Sequence, residues 1–350
     1  MTIPCGVVRQ WQSQPHICRD WARDPHKKGT MWNWQAERLA GRLIMPVARR
    51  QFIQGLAMTI TALPAALRAT GMRLPIGFST LGCPAWDWLK ILDFAEQNGF
   101  ASIELRGLAG TMDLPSRPEF SAARLAQSKK EVAAHGLRIS CVSSSANLHD
   151  ADAQKHEQQL ADARRFIDMA SDLGAPYVRV FGNKLIGPRD QAVERVATSL
   201  RELGTYAGPK KVSVLIESHG DFTDSPTLRE ILEKANSPHV GLLWDAHNTY
   251  VYGKEEPGVT VNLLGRYIRH THLKDSRTDG SSEHYVLTGR GDVPVKQQVQ
   301  LLAKSGYDGY YSFEWEKAWH PEIEEPEIAI ADFARAVTQY LQTTREKGQQ

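Results

Sequence analysis

The sequence predicts an α/β chain folded as a (β/α)8 TIM barrel, and three observations carry that reading. From Pro75 onward, short β-rich segments alternate with segments of helical period, the pattern of parallel strands joined by crossover helices. Eight such units fill about 270 residues, the usual size of this barrel. Four consecutive apolar segments in the second half also end in polar pairs spaced i, i+2: Glu217/His219, Asp245/His247, His270/His272 and Glu314/Glu316. In such a barrel the C-terminal strand ends form the mouth, while branched apolar residues fill the interior layers below.

Taken in order, strands are expected at 76–80, 102–106, 138–143, 177–181, 212–217, 240–245, 268–273 and 310–315. Helices are expected at 86–98, 121–135, 156–173, 190–207, 227–235, 259–264, 295–305 and 326–343, with 259–264 the weakest pattern. Gly99, Gly136, Gly174 and Gly306 follow four of these helices, as a helix stop requires. A doubly wound open sheet is the competing fold. The segment after the first strand, Ser79-Thr80-Leu81-Gly82-Cys83-Pro84, holds one glycine and so lacks the phosphate-binding loop of that fold. No linker interrupts the alternation, so 74–345 reads as one domain, followed by a short tail at 346–350.

With 41% hydrophobic and 23% charged residues, the composition is that of an ordinary globular protein. The net charge of +2 hides an asymmetry. Residues 1–73 hold 11 of the 42 basic and 3 of the 40 acidic residues, which leaves net −6 from residue 74 onward. An acidic domain argues against nucleic acid as a partner. The four cysteines lie apart, without CxxC or His-rich spacing, and indicate neither a disulfide framework nor a zinc ribbon. A homo-oligomer is compatible with the composition.

Within 45–73, Ala48-Arg49-Arg50-Gln51-Phe52-Ile53-Gln54-Gly55 precedes a mildly apolar run from Leu56 to Ala66, then Arg68. Paired arginines, a Phe two positions on and a weak apolar run resemble a twin-arginine export signal. Periplasmic or other exported localisation is the expectation, with a cytoplasmic chain as the alternative. The run is too short to span a bilayer, so stable membrane insertion is not expected. Residues 1–44 are Trp-rich and aperiodic, and read as a gene-model extension or disordered leader before a start at Met45.

The chemistry follows from strand periodicity. Residues i and i+2 share a face of a strand, so each terminal pair points one way. The gaps from Glu217 to Asp245, Asp245 to His272 and His272 to Glu314 are 28, 27 and 42 residues. The first two fit one strand plus one helix, and the third leaves room for a longer loop. Two glutamates, an aspartate and a histidine at one rim give a three-oxygen, one-nitrogen set. Carboxylates so clustered repel one another unless a cation neutralises them. Such a hard shell favours Mn2+ or Mg2+, with Zn2+ and Co2+ also compatible.

The segments Ile216-Glu217-Ser218-His219-Gly220, Leu243-Trp244-Asp245-Ala246-His247-Asn248, His270-Thr271-His272-Leu273-Lys274-Asp275, Gly289-Arg290-Gly291-Asp292-Val293-Pro294 and Ser312-Phe313-Glu314-Trp315-Glu316-Lys317 resemble the sugar phosphate isomerase/epimerase family, also called xylose isomerase-like TIM barrels. Ile103-Glu104-Leu105-Arg106 extends the resemblance, which runs from Pro75 to about Tyr340. It implies Glu217, Asp245, His272 and Glu314 as metal ligands, with His270 deeper in the barrel. It also implies Glu217 and Glu314 as the proton carriers of an enediolate mechanism on a keto-sugar, keto-glycoside or cyclic polyol ketone. Export favours unphosphorylated substrates. Epimerases of the family often carry His three residues after the ligand Asp, where this chain has Asn248, with His247 one position earlier.

His219, His247, Lys274, Arg277 and Arg106 are the candidates for binding substrate hydroxyls. Arg290 sits in a Gly-x-Gly turn, and Glu316 is expected at the rim. Trp86, Trp244 and Trp315 are candidate apolar walls, and Asn147 and His149 candidate pocket residues. Elimination from a β-substituted enolate is the alternative reaction. Endonuclease IV-like repair would need a trinuclear zinc cluster with more histidines, and a non-catalytic carbohydrate-binding barrel would have no use for the intact Glu/Asp/His/Glu set.

Overall fold

The strand β1 (Ile76–Ser79) opens a closed barrel with β2 (Ser102–Leu105), β3 (Arg138–Asn147), β4 (Tyr177–Asn183), β5 (Ser213–Gly220), β6 (Val240–Asp245), β7 (Ile268–Leu273) and, after a hairpin, β10 (Tyr311–Phe313). A computed structural model describes residues 73–280 and 282–348, so the leader and signal readings of the first 72 residues lie outside the described residues. All eight barrel strands are parallel, and β10 closes the ring between β7 and β1. Every expected strand is present. β3, β4 and β5 run past their expected ends, carrying extra polar residues to the mouth.

Helix starts follow local capping. Asp87 and Asp152 each accept a backbone N–H three residues on, so α1 (Trp88–Gln97) and α3 (Ala153–Leu173) begin there rather than at 86 and 156. The helix expected from 121 begins at α2 (Leu125–Ala134), and α4 (Arg189–Ala207) and α5 (Ser225–Ala235) follow β4 and β5. After β6, Asp245 accepts the Asn248 N–H and caps the short helix α6 (Ala246–Val251), which periodicity did not reveal because it lasts six residues. The weak pattern near 259–264 is a helix, α7 (Pro257–Leu264). The long gap before the last strand holds the antiparallel hairpin of β8 (Asp275–Asp279) and β9 (Ser282–Val286), then α8 (Val295–Lys304). The chain closes with α9 (Pro326–Gly348), five residues longer than expected. Among the described residues no helix is long and apolar enough to cross a membrane.

The main core fills the shell between barrel and helices, with Trp244 and Trp315 fully buried in it. Inside the barrel the apolar layer is small: Cys141, Leu215 and Leu243, with Tyr177 against them. This corrects the expectation of apolar layers up to the mouth. In register with Cys141, Leu215 and Leu243 on the neighbouring strands stand Glu104, Arg179 and His270, all fully buried. Charged groups replace branched residues there because strands of the ring pair them across the lumen.

At the mouth, Gly220 has φ +64° and pairs with Asn183; an added Cβ would lie 2.2 Å from the Asn183 carbonyl oxygen. Backbone cannot yield as a flexible side chain can. Gly220→Ala is expected to destabilise the protein by about 1–3 kcal/mol, read as a lower urea midpoint at unchanged slope.

Candidate metal and catalytic site at the barrel mouth

Register brings the polar strand ends to one level. Across the parallel ladders Glu217 pairs with Leu243, Leu243 with His270, Asp245 with His272 and His272 with Ser312. Glu314 stands two residues beyond Ser312, on the same face. One ligand-type atom from each of Glu217, Asp245, His272 and Glu314 lies within 4.8 Å of the others, and all four residues are buried. His272 Nδ1 is the focus, 3.1 Å from Glu314 Oε1 and 3.8 Å from Glu217 Oε1.

The remaining carboxylate oxygens are held from outside this focus. Arg179 Nε lies 3.0 Å from Glu217 Oε2, and both side chains are almost fully buried. Lys274 Nζ lies 2.5 Å from Asp245 Oδ2, 3.1 Å from Glu316 Oε1, and also contacts Glu314 Oε2. Asp245 Oδ1 accepts the Asn248 N–H at 2.9 Å. Glu217 and Glu314 are thus each gripped by a cation on one oxygen and turned inward on the other.

This donor set fits a divalent cation. His272 Nε2 is taken up at 2.8 Å by Glu104 Oε2, while Nδ1 is buried without a hydrogen-bond partner and faces two carboxylate oxygens. Five acids, Glu104, Glu217, Asp245, Glu314 and Glu316, meet three bases, Arg106, Arg179 and Lys274. With neutral imidazoles that is a surplus of two negative charges, which one divalent ion cancels. Burial works against charging His272, but Glu104 and Glu314 outweigh it and lift the imidazole well above its ordinary range. Burial likewise opposes charge on Lys274, yet Asp245, Glu314 and Glu316 keep the ammonium protonated.

The other expected site residues divide. His219 stands half-buried at the mouth, its Nδ1 donating to Asn183 Oδ1 at 2.7 Å and its ring 4.7 Å from Phe181. Asn147 joins the same chain by accepting from Asn183 Nδ2. Arg106 is buried beside the cluster, donating to Ser145 Oγ at 2.9 Å; burial, with Arg179 nearby, lowers it to about 10, still charged at neutral pH.

Lys274 lies inside the cluster, bound to its carboxylates, where a rim position for hydroxyl binding was expected. The reason is periodicity: 270, 272 and 274 share one inward face. His247 is fully buried under the hairpin, with Nε2 2.9 Å from Ser276 Oγ and 2.7 Å from Glu283 Oε1, so its ring is committed to protein groups rather than to a ligand. Arg277 is exposed and donates to the Arg290 carbonyl, outside the cluster.

The remaining candidates serve structure. The Gly-x-Gly turn wraps the Asp275 carboxylate, which accepts N–H groups of Gly289, Gly291 and Val293, while Arg290 turns outward to Asp332. Trp244 and Trp315 donate to Thr249 Oγ1 and the Glu324 carbonyl within the core, and Trp86 packs on Phe94. The His149 carbonyl accepts from Arg195. Arg179, Glu104 and Glu283 were not singled out for a role from the sequence. The first two carried a signal, a lone charge inside an otherwise apolar strand: YVRVFGN and SIEL.

Fold and site together define a (β/α)8 barrel with a buried carboxylate–histidine cluster at its mouth. Residues 92–337 match the xylose isomerase-like TIM barrel family, and the chain belongs to it. It is 25% identical over 176 residues to fructoselysine 3-epimerase of Shigella flexneri, covering 48% of this chain and 62% of that protein. It is 28% identical over 140 residues to inosose dehydratase of Clostridium tetani, covering 35% of this chain and 46% of that protein. The matched stretches thus span less than two thirds of either relative. Among solved structures, L-ribulose 3-epimerase superposes with a TM-score of 0.65 at 18% identity, covering 78% of this chain and 96% of that one. A Mycobacterium smegmatis barrel solved in complex with magnesium gives 0.59 at 22% identity, covering 77% and 97%. At these identities the superpositions establish the fold.

Arg179 and Glu217 form a buried ion pair, and removing one partner strands the other's charge. Arg179→Leu is expected to destabilise the protein by about 3–5 kcal/mol, measured by chemical denaturation, and the double variant Arg179→Leu/Glu217→Leu to recover much of that loss.

Proposed function

We propose that the chain is a divalent-metal-dependent isomerase or epimerase acting on an unphosphorylated keto-sugar or polyol through an enediolate. One observation carries the reading: Glu217 and Glu314 each present one oxygen toward His272 Nδ1 while Arg179 and Lys274 hold the other. Glu217, Asp245, His272 and Glu314 would hold the cation, Mn2+ by preference, with Mg2+, Zn2+ or Co2+ as alternatives. When bound, it would polarise a substrate carbonyl and the hydroxyl beside it, acidifying the intervening C–H.

In this reading, Glu217 and Glu314 flank the substrate plane. One takes the proton from the carbon next to the carbonyl, and the other returns a proton to the opposite face. Arg179 and Lys274 fix the two carboxylates so that each is presented without a search through rotamers. His219, anchored through Nδ1 by Asn183, offers Nε2 to a substrate hydroxyl, and Phe181 beside it supplies an apolar surface. Arg106 supplies positive charge at the same rim.

Elimination is the second reading, favoured by the Lys274 ammonium between Asp245, Glu314 and Glu316. The same proton abstraction, with a hydroxyl on the β carbon, would expel hydroxide that takes the abstracted proton from the glutamate and leaves as water, while the Lys274 ammonium stabilises the developing negative charge. A relative that is a dehydratase supports keeping it.

The test is solvent exchange. Incubated in D2O with Mn2+ and a panel of ketoses, ketoglycosides and cyclitol ketones, the protein is expected to place deuterium on carbon. Glu217→Gln and Glu314→Gln should each lower the rate by about 10²–10⁴-fold, and chelation should abolish it. Epimeric product supports the first reading, and an unsaturated product the second. No exchange across the panel by metal-loaded protein overturns both.

On the residues around Arg49-Arg50 we further propose export to the periplasm. Replacing both arginines by lysine is expected to leave the protein in the cytoplasmic fraction, and unchanged fractionation would overturn the proposal.

A further inference from the structure

Glu104 lies on β2, separated from β7 in the ring by β1 and β10, and its side chain reaches across the lumen. It is fully buried, yet satisfied on every side. Oε2 lies 2.8 Å from Nε2 of His270 and 2.8 Å from Nε2 of His272. Oε1 accepts from Ser143 Oγ at 2.9 Å and from Ser79 Oγ at 3.3 Å. Four donors on three strands, β1, β3 and β7, thus converge on one carboxylate, which has about four lone-pair sites to offer.

An ionised carboxylate only accepts, so each imidazole must donate through Nε2. For His272 in its neutral form, the form that can hold a cation, this leaves the lone pair on Nδ1, the atom that faces Glu217 Oε1 and Glu314 Oε1. The opposite tautomer would set an Nε2 lone pair against Glu104 Oε2 at 2.8 Å and place a hydrogen where a cation would sit. His270, which contributes nothing to the four-residue cluster, finds its role here: its donation to the same oxygen fixes where that oxygen lies.

We propose that Glu104 is a positioning residue that sets the tautomer and ring orientation of His272 so that Nδ1 is presented to a divalent cation. The inference rests on the reading that Glu217, Asp245, His272 and Glu314 hold that cation. It adds that the affinity of these four residues depends on a fifth, which touches neither cation nor substrate.

Mn2+ titrated calorimetrically into wild type, Glu104→Gln and Glu104→Ala tests it. The Gln side chain is isosteric, and its amide N–H2 can donate to the Ser79 and Ser143 hydroxyls while its carbonyl accepts from the histidines, so the fold is expected to persist. The expected loss in Mn2+ affinity is about tenfold for Gln and about a hundredfold for Ala. In Zn2+-loaded, 15N-histidine-labelled protein, the hydrogen-bonded Nε2–H of His272 should give a downfield proton resonance that Glu104→Ala removes. Thermal melts of the metal-free proteins report whether fold is kept, and Glu104→Leu, which removes the acceptor but fills the space, takes the place of the Ala variant if that one does not fold. Wild-type affinity in a folded variant that lacks the acceptor, Ala or Leu, overturns the positioning role. A wild type that binds no divalent ion overturns the metal-site reading itself, and this inference with it.

Discussion

The constraint on which the mouth of this barrel depends is the balance of like charge in a space that water does not reach. Closing eight parallel strands brings Glu104, Glu217, Asp245 and Glu314 into one buried region. Isolated, each carboxylate would cost several kcal/mol to bury. Each is instead met by donors of a different kind: imidazoles and hydroxyls on Glu104, a guanidinium on Glu217, an ammonium and a backbone N–H on Asp245, the same ammonium on Glu314. What these leave uncovered is a pair of inward oxygens and one imidazole nitrogen, and that remainder is where a cation fits.

Several residues near the site hold two jobs because space is short. Asp245 is at once a member of the cluster and the N-cap of α6, so the helix after β6 cannot form without fixing the carboxylate. Asp275, one residue past Lys274, gathers three backbone N–H groups from the turn at 289–293 and so ties the base of the hairpin to the barrel. That hairpin in turn carries Ser276 and Glu283 onto His247, two residues past Asp245. Tyr252 adds a hydrogen bond to the same Glu283 at 2.5 Å. The architecture of the rim is therefore continuous with its chemistry.

The barrel was legible because its signals are local and repeated. Apolar strands such as VLI before Glu217 and GLLW before Asp245 announce themselves by composition, and the αL glycine after α3 announces a stop. The four-residue cluster was legible for a related reason: its members recur at matching strand ends. The hairpin was not, because DSRTD and SEHYV are polar on both faces and lack an apolar stripe to betray the pairing. Nor was the fate of His247, since a histidine two residues past a strand end reads the same whether it faces a ligand or a glutamate from a later strand.

The sequence by itself determined which residues end the strands, that i and i+2 share a face, and therefore that Glu217, Asp245, His272 and Glu314 meet at one rim. Tertiary structure alone decided the pairings across the lumen. Glu104 and His272 are separated by 168 positions in the chain and by two strands in the ring, and nothing in either segment names the other. Arg179 reaches Glu217 because their strands are neighbours, but that it does so through the guanidinium, leaving the other oxygen free, depends on barrel stagger. Local propensity fixes where a side chain starts; only the closed ring fixes what it meets.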